Sequence, residues 1–494
     1  MPRGRNLQKK MGLKEICLVL LFTAALAAAA GKDRNTKPYK VVCYLGSWAN
    51  YRTGDAKFLI EHIDPFLCTH LIYGFAKLSN NQIAAYDPYL DLKENWGLGA
   101  IERFNNLKQK NPNLSTLIAI GGWNEGSTKY SAMAADPNAR KTFVKSVVDF
   151  CQKYGFDGLD MDWEYPANRG GAPSDKQNFI TLLKELSEAF EPHGLLLSAA
   201  VAAGKATMDT AYDIPGMAKY MDFINVMAYD LHGSWEKTTG HNAPLYAREE
   251  ESENEKLLNV DYAINYWISH GAPRNKLVLG MGLYGRSFTL GNPSNTGLGA
   301  PATGPGSAGP MTKEPGMLGY NEICLSVKDG GWQEVFVPKV EAPYAFKGNQ
   351  WVGYDNKKSI EIKTDYLIKE KLGGGMVWSL ETDDFRGKCF GETYPLLATI
   401  SNKLNGNAVR PPPPTVDPQQ PITQPPVRPT VDPGMGFRCT GDGYFRDPSN
   451  CSNFYLCVKQ PTGDYAKHTY TCGEGLAFDE EIKACNFHDR VKGC

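Results

Sequence analysis

The stretch KTFVKSVVDFCQKYGFDGLDMDWEYP, residues 141–166, contains the pattern that decides the fold. Its first part, 141–155, is amphipathic at helical spacing and ends at Gly155, a common helix stop. The apolar run that follows, GLDMDWEY (158–165), precedes a second amphipathic stretch, KQNFITLLKELSEAFEPHG (176–194). A buried strand between two helices predicts a parallel sheet that is covered by helices.

Seven other short apolar or β-branched runs have the same strand-like character. They are YKVVCYLG (39–46), HLIYGFA (70–76), STLIAIGGW (115–123), LLLSAAV (195–201), FINVMAY (223–229), KLVLGMGLYG (276–285) and GGGMVWSL (373–380). Eight comparable units predict an α/β fold of the (β/α)8 TIM-barrel type, because they favour closure over the alternative, a doubly wound open sheet. The gap of about 90 residues after the seventh run predicts a small α+β insertion at about 287–355.

The overall charge of the chain limits the class of partner that the protein could bind. The 494 residues include 53 Lys and Arg against 54 Asp and Glu, a net charge of −1, so nothing indicates a nucleic acid partner.

Basic residues at 3–10 precede the apolar run 16–30, which ends in small residues, as in a secretory signal peptide. An uncleaved anchor is the alternative, but about 15 residues is short for a membrane span. We therefore expect a signal peptide at 1–30 and a secreted, extracellular, monomeric protein that has no membrane contact after cleavage.

A break in composition divides the rest of the chain. The segment 405–435 is rich in Pro and Thr and predicts an extended linker between a large domain, 38–401, and a small one, 436–494. Six cysteines crowd into the small domain, which predicts a disulfide-rich β domain in which cross-links substitute for a core. Zinc is the alternative, but no C-x-x-C pair is present; six cysteines allow fifteen pairings. They are Cys439, Cys451, Cys457, Cys472, Cys485 and Cys494.

Three acids alternate along the fourth strand. Asp160, Asp162 and Glu164 share one face, since successive side chains of a strand point to opposite sides. Crowded buried carboxyls raise at least one pKa, as a general acid near neutral pH requires. Glu164 is nearest the carboxyl end of the strand, where barrel active sites lie. Solvated acids and a metal site are the alternatives; no His neighbours the triad, so we expect no metal.

The pattern Asp157-x-x-Asp160-x-Asp162-x-Glu164 resembles the signature of glycoside hydrolase family 18, the chitinases. The resemblance extends over 38–401, and several motifs are most similar to those of animal chitinases. The motifs are YLGSW (44–48), THLIYGFA (69–76), AIGGWN (119–124), NVMAYDLHGSWE (225–236), GLYGRSFTL (282–290), PATGPG (301–306), WVGYD (351–355) and GGGMVWSLETDDF (373–385).

The resemblance implies a retaining endo-chitinase that acts on chitin and chitooligosaccharides without a cofactor. The nucleophile would be the acetamido oxygen of the substrate. Glu164 would protonate the glycosidic oxygen and then activate water, while Asp162 orients the acetamido N–H. Asp160 would share a proton with Asp162, Tyr229 would hydrogen-bond the acetamido oxygen, and Asp157 would be structural.

The resemblance also implies a set of substrate-binding residues. Trp378 would be the floor under the distorted sugar; Trp48, Trp123 and Trp235 would form further subsites, with core packing as the alternative for each. Asp87 and Pro88 are placed only by their position after the second strand. The full set is Tyr44, Trp48, Phe75, Asp87, Pro88, Gly121, Gly122, Trp123, Asn124, Tyr165, Met227, Ala228, Asp230, Trp235, Tyr284, Arg286 and Trp378.

Cross-links and backbone geometry are implied in the same way. In the large domain the family pairing would be Cys43–Cys68 and Cys324–Cys389, which leaves Cys151 as a buried free thiol. The tail resembles a peritrophin-A-type chitin-binding domain, with pairing Cys439–Cys457, Cys451–Cys494 and Cys472–Cys485 and candidate stacking residues Tyr444, Tyr455, Tyr465 and Tyr470. Three peptide bonds would be cis: Gly74–Phe75, Glu164–Tyr165 and Trp378–Ser379.

Two rival functions are compatible with parts of this pattern. The first is a chitinase-like lectin that binds sugar without turnover; such lectins typically lose the acid that is present here as Glu164. The second is an endo-β-N-acetylglucosaminidase on glycoproteins, which the extended Trp series and the chitin-binding tail argue against.

Overall fold

The computed structural model describes residues 37–407 and, in the tail, 439, 441, 443–447, 450–460, 464–472, 476–480, 484–487 and 491. These residues fall into two compact units, which divide between positions 411 and 412. The predicted signal peptide and positions 408–435 of the predicted linker lie outside the described residues. Within the described part, no helix has both the length and the apolar composition that a membrane crossing needs.

Twenty strands are described, named here in chain order. They are β1 (Lys40–Gly46), β2 (His70–Ser79), β3 (Gln82–Ala85), β4 (Ser115–Gly121), β5 (Gly158–Asp162), β6 (Leu196–Val201), β7 (Phe223–Val226), β8 (Leu277–Gly282), β9 (Tyr284–Leu290), β10 (Ala302–Pro305), β11 (Met317–Gly319), β12 (Gln333–Val337), β13 (Ala342–Lys347), β14 (Gln350–Gly353), β15 (Gly374–Trp378), β16 (Gly443–Asp447), β17 (Asn450–Lys459), β18 (Tyr465–Thr471), β19 (Leu476–Asp479) and β20 (Ala484–Phe487).

The described α-helices are α1 (Pro88–Asp91), α2 (Ala100–Asn105), α3 (Leu107–Lys110), α4 (Thr128–Ala135), α5 (Pro137–Tyr154), α6 (Asp175–Phe190), α7 (Lys205–Ala211), α8 (Ile214–Tyr220), α9 (Val260–Ser269), α10 (Tyr320–Lys328), α11 (Lys357–Lys369) and α12 (Pro395–Asn405). Local sequence explains α5, the helix of the opening stretch. The Asp136 side chain accepts hydrogen bonds from two backbone N–H groups of its first turn, and Gly155 ends it in a left-handed conformation at φ 78°.

Eight parallel strands close into a barrel, as the sequence predicts. Their order is β1-β15-β8-β7-β6-β5-β4-β2, and β1 pairs in parallel with both β15 and β2. The two ends of the barrel chain also meet: the Tyr39 N–H donates to Asn405 Oδ1 at 3.3 Å, and Asn405 Nδ2 donates to the Tyr39 carbonyl at 3.0 Å. The closed barrel brings the carboxyl ends of all eight strands to one mouth.

The predicted insertion follows the seventh barrel strand, β8. It is an antiparallel sheet in the order β10-β9-β14-β13-β12, with β11 paired to β9 and helix α10 beside it, which confirms its α+β class. The insertion has a small core of its own, centred on Trp351 and Phe288. One feature was not predicted: β2 continues to Ser79 and turns back as a hairpin with β3.

The tail is disulfide-linked and all-β in its described part. The antiparallel sheet β16-β17-β18 is accompanied by the pair β19-β20. The predicted disulfide Cys439–Cys457 is present, as are Cys43–Cys68 and Cys324–Cys389 in the large unit. Cys451 and Cys472 are also disulfide-bonded, but the side chains of their predicted partners, Cys494 and Cys485, lie outside the described part.

Two further predictions about cysteine and backbone geometry are confirmed. Cys151 is a buried free thiol, and burial raises its pKa to about 12. The Gly74–Phe75, Glu164–Tyr165 and Trp378–Ser379 peptide bonds are all cis.

Candidate active site

The strand β5 and the residues after it carry three acids toward the barrel interior. Asp160, Asp162 and Glu164 are respectively 0, 3 and 9% exposed. Trp163, of opposite parity, packs outward: its ring stacks on Tyr130 of α4, and its indole N–H donates to Ser127 Oγ at 3.0 Å. The alternation predicted for this strand is therefore present, with the acids on the barrel side.

Asp160 is the deepest of the three and is fully surrounded by donors. The hydroxyl of Tyr44 donates to Oδ2 at 2.7 Å, while Ser198 Oγ and Asn225 Nδ2 donate to Oδ1 at 2.6 and 3.2 Å. These donors come from β1, β6 and β7. Burial raises the pKa of Asp160 to about 6, against the opposing effect of the three hydrogen bonds.

Asp162 differs from Asp160 in having an unpartnered oxygen. Its Oδ1 is buried, and no donor among the described residues reaches it. Burial raises the pKa of Asp162 well above its usual value, and the charges of Glu164 and Asp160 raise it further. A buried carboxylate oxygen without a donor is costly, so this atom is well placed to accept a hydrogen bond from a bound molecule.

Glu164 follows β5 at the mouth of the barrel. Burial raises the pKa of Glu164 to about 7; a hydrogen bond with Tyr165 and the positive charge of Arg169 act in the opposite direction, and the charge of Asp230 adds to the rise. Near neutral pH, a carboxyl group with this pKa is present in both its protonated and its ionised form. It can therefore serve as a general acid and, once deprotonated, as a base.

Aromatic rings surround the acids at the mouth. The Trp378 ring, at the end of β15, has its centroid 5.7 Å from that of Tyr44, 5.8 Å from Phe75 and 6.0 Å from Trp48. Trp48 and Phe75 are nearly parallel to each other. These rings form an apolar floor beside the acids.

Exposure distinguishes the predicted subsite tryptophans from those that are buried in cores. Trp163, Trp267 and Trp351 are buried in cores. Trp48 is 44% exposed, and Trp123 and Trp235 are each 60% exposed. Core packing, the alternative for these three, is therefore wrong.

A polar cluster lies on the β7 and β8 side. Asp230 Oδ1 accepts from the Tyr284 hydroxyl and from Arg286 Nε, both at 2.6 Å. The Arg286 guanidinium also lies 5.5 Å from the Trp235 ring centroid. Tyr229 packs edge-on against Tyr284, and burial raises the pKa of the Tyr229 phenol well above its usual value. Tyr229 therefore remains a neutral hydrogen-bond donor at the site.

Two glycines let the strand ends close up around the acids. Gly121 has φ 117°, and a Cβ there would lie 2.0 Å from the Asp162 carbonyl oxygen. Gly122 has φ 83°; its N–H donates to the same carbonyl at 2.8 Å, and a Cβ would lie 2.9 Å from the Phe75 ring. Only glycine fits both positions. The neighbouring predicted residue Asn124 is exposed, Met227 is partly buried and Ala228 is buried.

Asp87 and Pro88 make local contacts. Asp87 caps α1 by accepting from the Tyr89 and Leu90 N–H groups and also accepts from the Tyr51 hydroxyl at 2.5 Å. Pro88 is the first residue of that helix. Their described contacts explain the fold of this loop, and sugar binding at this loop stays a prediction. Asp157 also has structural partners, since it accepts from Lys108 Nζ at 2.8 Å and from the Thr116 N–H at 2.9 Å.

Three residues of the site were not predicted from the sequence. Ser198 and Asn225 hold Asp160, and their polarity within apolar strands is a signal that could have identified them. Arg169 donates from Nη1 to the Glu164 carbonyl at 3.0 Å, and its guanidinium lies 3.5 Å from the Trp123 ring centroid. Nothing in a loop sequence distinguishes this arginine from a solvated one.

Comparison with known proteins gives matches over both units. The family described as "Glycosyl hydrolases family 18" matches residues 40–383, and the "Chitin binding Peritrophin-A domain" matches 439–494. Chitotriosidase-1 of Mus musculus is 41% identical over 461 residues, which cover 91% of this chain and 95% of that protein.

Solved structures are similar as well. The Ostrinia furnacalis Group IV chitinase in complex with allosamidin is 47% identical, with a TM-score of 0.71 over 74% of this chain and 98% of that one. Human YKL-39, described as a pseudo-chitinase with retained chitooligosaccharide binding, is 41% identical, with a TM-score of 0.69 over 74% of this chain and 99% of that one.

Proposed function

Because the chain belongs to family 18 of the glycosyl hydrolases and carries a peritrophin-A chitin-binding domain, we propose that it is a secreted endo-chitinase with a retaining, substrate-assisted mechanism. The observation that carries this proposal is the pairing of Glu164, whose pKa is raised to about 7, with Asp162, which has a buried unpartnered oxygen. The first can supply a proton and the second can accept one hydrogen bond from the substrate.

In the first step, Glu164 donates its proton to the glycosidic oxygen. The bond between that oxygen and the anomeric carbon breaks as the substrate's acetamido oxygen attacks the same carbon. Asp162 accepts a hydrogen bond from the acetamido N–H, and its negative charge stabilises the oxazolinium ion that forms. The Tyr229 phenol donates to the acetamido oxygen and holds it in line.

In the second step, the Glu164 carboxylate takes a proton from water as that water attacks the anomeric carbon. The oxazolinium ring opens, and the configuration of the starting sugar is restored. Asp160 supports Asp162 from behind: its own pKa, raised to about 6 by burial, allows the two carboxyl groups to share a proton as Glu164 changes state.

The aromatic surface supports action within a polymer. Sugar rings present C–H faces that pack on aromatic rings, and Trp378 with Phe75 and Tyr44 forms a floor for the sugar that reacts. The exposed ring of Trp48, which lies against this floor, and the exposed rings of Trp123 and Trp235 provide further stacking positions. Several such positions favour binding of an internal stretch of chitin.

Secretion is supported by the cross-links. The disulfides Cys43–Cys68, Cys324–Cys389 and Cys439–Cys457 are typical of proteins folded in an oxidising compartment. With the basic, apolar and small-residue order of positions 1–30, they favour export and an extracellular location.

The test compares substrates that differ only in the acetamido group. We expect the protein to hydrolyse chitin and chitooligosaccharides and to cut the longer oligomers at internal bonds. We expect no cleavage of fully deacetylated chitosan. Cleavage of chitosan at a rate similar to that of chitin would exclude the substrate as nucleophile. Binding of chitooligosaccharides without any turnover would instead indicate a lectin.

A further inference from the structure

The loop that follows the proton donor is firmly held. The Ala167 and Ala172 N–H groups donate to Asp175 Oδ2 at 3.2 and 2.9 Å, and Asn168 Nδ2 donates to Thr210 Oγ1 at 3.0 Å. Within it, Arg169 has a left-handed backbone, with φ 50°. The loop therefore presents the Arg169 side chain in a defined direction.

That side chain contacts the acid segment and an aromatic ring at once. Its Nη1 donates to the Glu164 carbonyl at 3.0 Å, and the guanidinium carbon lies 3.5 Å from the Trp123 ring centroid. A planar guanidinium this close to an indole covers one face of the ring and restricts its rotation. Because Trp123 is 60% exposed, the ring still presents surface to a ligand.

We propose that Arg169 is a positioning residue that ties the sugar-stacking ring of Trp123 to the backbone of the proton donor Glu164. This inference rests on the proposed function, since it assigns Trp123 to substrate binding. A sugar that stacks on Trp123 is thereby placed at a fixed distance from the acid. Without the guanidinium, the ring can turn away and the register of the polymer over Glu164 is lost.

Arg169 also differs in charge from the other groups around Glu164. Asp162 and Asp230 are acidic, and Tyr165, Tyr212 and Tyr229 are phenols whose pKa values are raised by burial. Arg286 is paired with Asp230. The positive charge of Arg169 lowers the pKa of Glu164, against the rise that burial causes. Removing that charge should extend the protonated form of Glu164 to higher pH.

Two substitutions separate the stacking role from the charge. Arg169→Gln removes both, whereas Arg169→Lys keeps the charge and removes the planar stack. In the full chain, we expect both variants to raise KM for long chitooligosaccharides by about fivefold. Only Arg169→Gln should move the basic limb of the kcat/KM profile, by about half a unit to higher pH. Lys205→Gln, which removes an exposed cation of α7 outside the site, is the matched charge control and should change neither quantity.

A double-mutant cycle with Trp123→Ala tests whether Arg169 acts through the ring. The effect of Arg169→Lys on KM should disappear in the Trp123→Ala background, because there is no ring left to hold. Additive effects would overturn the link to Trp123, and an unmoved basic limb in Arg169→Gln would overturn the link to Glu164. If Arg169→Gln does not fold, Arg169→Lys alone decides the stacking role.

The failure of this inference can be told apart from failure of the proposed function. Calorimetric binding of a long chitooligosaccharide measures the contribution of Trp123 without any turnover. If the wild-type chain binds but does not hydrolyse, the proposed function fails and the Arg169→Lys binding comparison still applies. Equal oligomer affinity in the wild type and Arg169→Lys would overturn the positioning role.

Discussion

The barrel and the tail contain aromatic residues for the same class of ligand but are stabilised in different ways. The large unit has one continuous buried core that extends from Val41 to Leu404, and the cysteines of its two disulfides are buried within that core. In the described part of the tail, few side chains are buried, and Cys439, Cys451, Cys457 and Cys472 are all cross-linked. A large core can exclude water from a set of carboxyl groups, and a small cross-linked domain cannot do so to the same extent.

This difference in how the two units are stabilised determines which chemical groups the barrel site and the tail can each present to a polymer. The barrel buries Asp160, Asp162 and Glu164, and this burial raises their pKa values. The tail exposes Tyr444 and Tyr470 on either side of Phe454, whereas Tyr455 is buried and donates to Asp447 at 2.6 Å. Stacking rings can retain a polymer but cannot cleave it, and the buried acid that the described tail residues include, Asp447, is already hydrogen-bonded to Tyr455, so turnover and retention should be separable.

Removing the acid should give the largest effect and leave retention unchanged. Glu164→Gln keeps the size of the side chain but cannot donate an acidic proton, so kcat on soluble oligomers should fall by about 10²–10⁴-fold. Sedimentation with insoluble chitin should match that of the wild type. Loss of chitin binding together with loss of turnover would show that the barrel site, rather than the tail, retains the enzyme on the polymer.

Asp162→Asn should have the next largest effect. A neutral amide can still accept the acetamido N–H but stabilises the oxazolinium ion less well, so we expect kcat to fall by about 10²-fold. Single-turnover kinetics on a soluble oligomer measures this step. A wild-type rate in this variant would exclude Asp162 from the reaction.

The pH dependence of turnover at the barrel site should differ from the pH dependence of chitin binding by the tail. As pH rises through the pKa of Glu164, about 7, the general acid loses its proton, so kcat/KM should fall about tenfold per unit above that value. Retention on chitin by stacking should change less than about twofold over the same range. Measuring both on one preparation between pH 5 and 9 tests the difference, and a parallel decline would contradict it.

Truncation after position 407 should give the smallest effect on the chemistry. The cut preserves Asn405 and its hydrogen bonds to Tyr39, so soluble-oligomer turnover should be unchanged. Activity on crystalline chitin should fall roughly three- to tenfold, because the enzyme is no longer concentrated on the polymer. An equal loss on soluble and crystalline substrates would indicate that the tail is needed for the catalytic fold.

The series of eight apolar runs, with helical stretches between several of them, was sufficient to predict the barrel. The eight apolar runs correspond to the eight barrel strands, since buried parallel strands are apolar on both faces. The β2–β3 hairpin was not predicted, because the β3 segment QIAA has only four residues. Its position also depends on a contact with α5, where the Ile83 N–H donates a hydrogen bond to Ser146 Oγ. Such a contact between distant segments has no local signal.

The acids of the site were predictable, but the residues around them were less so. Alternation along β5 and the residues directly after it identifies the face that Asp160, Asp162 and Glu164 share. The donors Ser198 and Asn225 come from other strands, and closure of the barrel brings them to Asp160. Arg169 depends on loop geometry, which no pattern of residue types in this segment specifies.

The hydrogen bonds between Tyr39 and Asn405 have a consequence for how the chain could be re-engineered. Since the first and last strands of the barrel are neighbours, the point at which the polypeptide starts is not required by the fold. A short linker could join these two residues, and new termini could be opened at the exposed turn of His193 and Gly194. A circularly permuted gene of this kind should encode the same catalytic barrel with its strands in a different order along the chain.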